Sequence, residues 1–193
     1  MIRTGVANLA SVLAGLARAG AEASLVASAE EVERASHVLL PGVGSFAPGM
    51  AALREAGLCE ALRARIAAGR PTLAICLGLQ MLAEGSEEAP GVAGLGVLRG
   101  VARRFSNEVT VPQLGWNLVE GGGLIEAGYA YFANSYRIVD APEGWTPAWT
   151  DHGGMFCAAL QRGAVLACQF HPELSGPWGL GLLGRWLRTE AAC

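Results

Sequence analysis

The stretch Pro71-Thr72-Leu73-Ala74-Ile75-Cys76-Leu77-Gly78-Leu79-Gln80 joins a strand pattern directly to a helix pattern. The apolar run before Cys76 reads as a buried strand and the residues after it as a helix, so Cys76 stands at a strand-to-helix corner. Ala74, two before, is small and Gly78, two after, has no side chain, so the chain can turn sharply and lift the thiol above a sheet. A helix N-terminus favours a thiolate over a thiol. Cys76 is therefore a candidate nucleophile, whereas Cys59, Cys157 and Cys168 lack this setting and read as packing residues.

Strands and helices alternate through the first half. The spacing predicts a helix over 8–19, a strand over 24–27 and a short helix opened by the capping box Ser28-Ala29-Glu30-Glu31. A strand over 37–40 then runs into the loop Pro41-Gly42-Val43-Gly44-Ser45, and helical segments over 48–68 close at Gly69. Such alternation implies a parallel sheet with helices on both faces, and functional groups on these sheets gather at the carboxyl ends of the strands. The glycine loop and Cys76 both fall there.

The second half changes character. Short β-like runs over 101–105, 116–119, 129–137, 156–160 and 165–170 are divided by glycine turns, which suggests an antiparallel layer, and a last helix is expected over 177–188. No linker, repeat or charge block divides the 193 residues, so the expectation is one α/β domain over 1–193: a mixed, mostly parallel central sheet flanked by helices, with a small antiparallel sheet.

At the end of the last β-like run stands His171-Pro172-Glu173. Proline keeps His171 extended, so the side chains of His171 and Glu173 can project to one side, where the carboxylate can take the imidazole N–H and fix its tautomer. His37 and His152 have no such neighbour and read as structural or solvated. The loop 41–45 has neither the lysine of a phosphate-binding loop nor a dinucleotide fingerprint. Its glycines let backbone N–H groups approach a ligand, and with the N–H of Leu77 they would make an oxyanion hole.

Composition excludes several classes. A net charge of −3 with no basic stripe argues against nucleic acid. All fourteen Lys+Arg residues are arginine, which excludes a Schiff-base or lysine-base mechanism. The five cysteines are odd in number, scattered and without zinc spacing, as expected for free thiols in the cytoplasm and for a site without metal. Residues 1–23 mimic a secretory leader, but Leu9, Val12, Leu13 and Leu16 fall at i, i+3, i+4 and i+7, the stripe of an amphipathic helix. The uncharged stretch 36–53 is broken by Pro41, Gly42, Gly44, Pro48 and Gly49, so no membrane span is expected.

These residues together resemble the class I (triad) glutamine amidotransferases. The likeness rests on the Cys76 elbow, the Pro41-Gly42-Val43-Gly44 loop and Gln169-Phe170-His171-Pro172-Glu173. Ser86-Glu87-Glu88-Ala89-Pro90-Gly91-Val92, Gly115-Trp116-Asn117 and Tyr131-Phe132-Ala133-Asn134-Ser135-Tyr136 resemble the branch that serves L-histidine biosynthesis. The resemblance implies that Cys76 attacks the side-chain amide of L-glutamine, that His171 passes the protons and that Glu173 orients His171. It implies an oxyanion hole from Leu77 and the Val43-Gly44 peptide, glutamine contacts at Gly42, Gln80, Ser135 and Tyr136, and no cofactor. It further implies a heterodimer with a HisF-type (β/α)₈-barrel cyclase, which uses the ammonia to convert PRFAR to imidazole glycerol phosphate and AICAR. Asn8, Trp116 and Tyr131 match positions near that interface.

The chain departs from the family pattern at four places. Residues 1–4 leave a short first strand, Ala74 and Leu79 stand for glycine and methionine, and Leu174 stands where a basic residue commonly follows His-Pro-Glu, removing an interface ion pair. Two other readings remain open at this level: a glutaminase of another class I enzyme, such as pyridoxal phosphate or anthranilate synthase, and a non-catalytic scaffold that only binds a barrel.

Overall fold

The computed structural model describes residues 1–2, 9–42 and 44–190. Asn8 and Val43, expected at the interface and in the oxyanion hole, lie outside the described residues, as do residues 3–4 of the expected first strand. In chain order the elements are α1 (Leu9–Arg18), α2 (Ala29–Arg34), β1 (Val38–Leu40), α3 (Phe46–Glu55), α4 (Cys59–Ala67), β2 (Thr72–Ile75) and α5 (Leu77–Met81). Then come β3 (Ala83–Ser86), β4 (Leu98–Arg104), β5 (Gln113–Val119), β6 (Gly128–Asn134), β7 (Tyr136–Arg137), β8 (Thr146–Asp151), β9 (Met155–Arg162) and β10 (Val165–Cys168). A 3₁₀ turn (Pro172–Leu174) and α6 (Gly176–Leu187) complete the chain.

The central sheet has the order β1-β2-β10-β9-β8, parallel across β1, β2 and β10 and antiparallel from β10 to β8. Residues alternate between two cores. Val38, Leu40, Ala74, Val165 and Ala167 face α2, α3 and α4, packing with Val32, Phe46, Leu53 and Leu62. Leu39, Leu73, Ile75, Leu166 and Cys168 face α1 and α6, packing with Val12, Leu16, Leu182, Leu183 and Trp186. Because both faces are buried, these strands read as unbroken apolar runs rather than as alternating patterns. Each large side chain removed from water contributes about 1.5–3 kcal/mol, which makes the sheet a stiff base for what stands on its edge.

Several expectations are corrected. The strand expected over 24–27 is a single bridge, Val26 to Ile2. Two strands were not expected: β3, whose Ala-Glu-Gly-Ser carries no β-branched residue, and β8, which contains Pro147. Proline is tolerated because β8 is an edge strand, where a missing N–H costs no ladder bond. The second half builds two small sheets rather than one: antiparallel β5-β6, and β3-β4-β7 with mixed pairing.

At the amino ends of β1 and β2, Arg65 of α4 is almost fully buried and spends its whole guanidinium on fixed oxygens. Nη1 donates to Val32 O and Ala35 O, Nη2 to Ser36 O and Pro71 O, and Nε to Thr72 Oγ1. Burial, with a smaller effect from Arg70, brings its pKa down to about 10. The group ties α2, α4 and two strand starts together.

Candidate active site

β2 ends at Ile75, and the next residue, Cys76, has φ 54° and ψ −109°. It is the one non-glycine residue with positive φ among the described residues. Such a conformation costs about 1–3 kcal/mol and survives because the surroundings fix it. The Cys76 N–H donates to Cys168 O at 2.7 Å, tying the corner to β10, and Gln80 N–H donates to Cys76 O at 3.2 Å, starting α5. A Cβ on Gly78 would lie 2.2 Å from Leu40 O, and one on Gly42 would lie 2.5 Å from Gly78 N. The elbow and the glycine loop thus interlock through two residues without side chains.

The structure brings His171 and Glu173 together, though not by extended alternation. His171 is extended (φ −100°, ψ 96°), and Pro172–Leu174 then forms a 3₁₀ turn. This turn carries the Glu173 carboxylate back until Oε1 accepts the imidazole Nδ1–H at 2.8 Å. Ser175 fixes the turn by donating its hydroxyl to His171 O at 2.6 Å, and Arg18 of α1 donates to Glu173 O. Burial of His171 opposes its charged form, but hydrogen bonds with Cys76 and Glu173, and their charges, outweigh it and raise the pKa to about 10. Glu173 Oε2 is buried without a partner, so the carboxylate leans on the imidazole for compensation.

Cys76 and His171 line one cavity of about 320 Å³ together with Gly44, Leu77, Gln80, Ser135 and Tyr136, all expected from sequence. Glu88 and Asn134 line it too and were not singled out from sequence. Glu88 Oε2 accepts the Phe46 N–H at 2.8 Å and so caps α3, whose N-cap Ser45 makes no side-chain bond of its own. A carboxylate two residues past the end of β3 is visible as a charge in sequence, but nothing local aims it at Cys76.

Two expected contacts are engaged within the protein. Gln80 Nε2 donates to Tyr136 O and to Gln169 Oε1, both at 3.1 Å, so its amide nitrogen is committed to the wall. The Leu77 N–H points at Gly42 O, 3.3 Å away, rather than standing free over the cavity. The remaining described cysteines and histidines are structural. Burial pushes Cys157 up to about 12 and Cys168 well above the ordinary thiol range. The His37 ring sits edge-on to Trp186, and His152 Nε2 pairs with Thr110 O.

Trp116 and Tyr131 face each other across β5-β6, ring centroids 6.1 Å apart at 76°. Leu114, Trp116, Leu118 and Tyr129 are exposed on this face, and Leu174 is exposed as well. The alternation Leu114, Trp116, Leu118 was the signal for the wider face, masked by the glycine between the first two. Tyr131 also touches the triad segment: its carbonyl accepts the His171 N–H at 2.9 Å and its N–H donates to Ser175 Oγ at 3.0 Å. Among the described residues no helix is long and apolar enough to cross a membrane.

A family model described as "Glutamine amidotransferase class-I" matches residues 4–183. Imidazole glycerol phosphate synthase subunit HisH of Synechococcus sp. (strain JA-2-3B'a(2-13)) is 40% identical, the match covering 96% of this chain and 90% of that one. HisH of Deinococcus radiodurans is 42% identical over 97% of this chain and 91% of its own. The chloroplastic imidazole glycerol phosphate synthase hisHF of Arabidopsis thaliana is 39% identical over 96% of this chain, and the match takes up 33% of the plant protein. A crystal structure of a glutamine amidotransferase superposes with a TM-score of 0.72 at 25% identity, covering 95% of this chain and 97% of that chain. PurLQS from Thermotoga maritima gives 0.71 at 19% identity, over 96% and 95%, a likeness of fold.

Proposed function

We propose, from the premise that the chain belongs to the class I glutamine amidotransferase family, that Cys76, His171 and Glu173 carry its glutaminase chemistry and that a HisF-type barrel cyclase receives the ammonia. The chain is a glutaminase subunit of the imidazole glycerol phosphate synthase kind, as its relatives named HisH match it along nearly its whole length. The observation that carries the residue assignment is the 2.8 Å His171–Glu173 pair beside a strained cysteine in one cavity.

In this reading Cys76 Sγ attacks the glutamine side-chain carbonyl, a C–S bond forms and the carbonyl π pair moves onto oxygen. His171, held as imidazolium by Glu173, gives its proton to the departing nitrogen as the C–N bond breaks. Ammonia leaves a γ-glutamyl thioester. Water then attacks this carbonyl while His171 takes its proton, the C–S bond breaks, and glutamate departs. Glu88, the cavity's carboxylate apart from the triad, suits the α-ammonium of the substrate. Gln80 Oε1 and the Ser135-Tyr136 backbone hold its other polar groups.

The Leu77 N–H and a backbone N–H of the Val43-Gly44 peptide hold the oxyanion once the Leu77–Gly42 contact opens. Opening is assigned to the partner, which seats on the uncharged face of Leu114, Trp116, Leu118, Tyr129 and Tyr131. Aromatic residues exposed side by side are common anchors of interfaces. Leu174 is exposed as well and offers a partner an apolar side chain. A cytoplasmic setting keeps the nucleophile reduced.

Labelling with a glutamine-like electrophile, 6-diazo-5-oxo-norleucine, in the presence of the cyclase tests the assignment. A single adduct on the Cys76 peptide is expected, protected by L-glutamine. Labelling spread over Cys59 and others, or none, would contradict it and favour a scaffold.

A further inference from the structure

We infer that Gln169 is a catalytic residue of this glutaminase: its side-chain N–H donates to Cys76 Sγ and supports the thiolate from beneath. The inference rests on the assignment of Cys76 as nucleophile. Gln169 Nε2 lies 3.6 Å from Sγ, a normal distance for a hydrogen bond to sulfur, and the residue is fully buried.

Register explains the placement. β10 runs parallel to β2 with Cys168 opposite Ile75, so the residue after each strand, Gln169 and Cys76, are neighbours. Cys168 faces the α1–α6 core, and Gln169 faces the other way, toward α5 and Gln80. Its own N–H is held by Ala158 O at 2.8 Å, so the backbone beneath it is pinned.

Hydrogen-bond polarity fixes which end of the amide meets sulfur. The Tyr136 carbonyl can only accept, and it takes Gln80 Nε2–H at 3.1 Å and Asn134 Nδ2–H at 3.0 Å. Gln80 therefore turns its nitrogen inward, and its second N–H goes to Gln169 Oε1. With the Gln169 oxygen so engaged, the nitrogen is left for Cys76. A second polar neighbour of Sγ is the Ala133 carbonyl, 3.9 Å away, which suits a thiol and opposes a thiolate. Gln169 offsets that opposition with a donor whose bond strengthens as sulfur becomes charged. When Sγ attacks, its charge passes to the oxyanion and the bond weakens; when the thioester is hydrolysed the bond returns.

The test is the pH dependence of Cys76 alkylation by iodoacetamide, followed by peptide mass, in the wild type, Gln169→Met and Gln169→Glu. Methionine keeps the volume and removes the donor. Glutamate keeps the shape and the Gln80 contact but turns an acceptor toward sulfur. The alkylation midpoint is expected to move to higher pH by about 1–2 units in the Met variant and further in the Glu variant, since a hydrogen bond to a charged group is worth that much. Coincident midpoints in all three proteins, or equal shifts in the two variants, would overturn the proposal. Should the Met variant not fold, the Glu variant compared with wild type decides alone. If wild-type Cys76 is not selectively alkylated, the nucleophile assignment fails, which is a separate outcome.

Discussion

The two ends of the parallel strands each hold a buried charged group, and they treat it in opposite ways. At the amino ends, all five guanidinium N–H groups of Arg65 are spent on five oxygens that do not titrate. At the carboxyl ends, the His171–Glu173 pair borders a cavity, beside a residue forced into a positive φ and a carboxylate oxygen left without a partner. A saturated charge staples; an unsaturated one can pass a proton. Burial alone does not mark function, whereas burial with an incomplete set of partners does.

The largest effect that would break this contrast lies at Cys76. Cys76→Ala is expected to lower glutamate formation by at least about 10⁴-fold while the far-ultraviolet spectrum and thermal midpoint stay near wild type. Next comes the staple. Arg65→Met removes the donors to Val32 O, Ser36 O and Thr72 Oγ1 and one of two donors to Ala35 O and Pro71 O, and urea unfolding should show a loss of at least about 3 kcal/mol with turnover per folded molecule unchanged. A stable Arg65→Met protein with impaired turnover would erase the distinction between the two ends.

Glu173→Gln sharpens it through pH. The folded-state pKa of His171 is raised from 6.5 to about 10, so its contribution to stability is complete below pH 6.5 and is lost as pH rises through about 10. Removing the carboxylate leaves burial less opposed, so the imidazole should titrate at lower pH and the decline of stability across pH 6.5–10 should flatten. Imidazole signals are readily followed, as the chain has three histidines. Turnover should drop by about 10²–10⁴-fold, as when the orienting member of a triad is lost. The smallest effect belongs to the docking face: Trp116→Ala is expected to weaken cyclase binding by roughly 30-fold, measured by titration calorimetry.

The carboxyl-end site was legible from sequence because its chemistry is packed into short segments. Cys76 with Gly78, and His171 with Glu173, are local patterns, and the β-α alternation told which end of the sheet they share. Gln169 and Glu88 were not legible. Gln169 is the one polar residue in the run 165–170, but its role depends on the register between β10 and β2, which no local pattern carries. Glu88 reaches the cavity only because it caps a helix that begins 42 residues earlier. Arg65 was not singled out either, because the oxygens that enclose it come from α2, the segment after it and the starts of two strands, which no local pattern around residue 65 brings together. β3 and β8 escaped because their strand character comes from pairing partners and not from their own side chains.

The proposed gating is a glutaminase held incomplete until its partner docks, with the Leu77 N–H spent on Gly42 O in the isolated chain. It is tested most directly by the steady-state rate of glutamate release from L-glutamine, measured for the purified chain alone and again with saturating HisF-type cyclase and its ligand. An oxyanion donor contributes about 10²–10³-fold, so the chain alone is expected to be slow and to be accelerated by at least about 10²-fold on docking. An isolated chain already turning over at the full rate of the complex would contradict it.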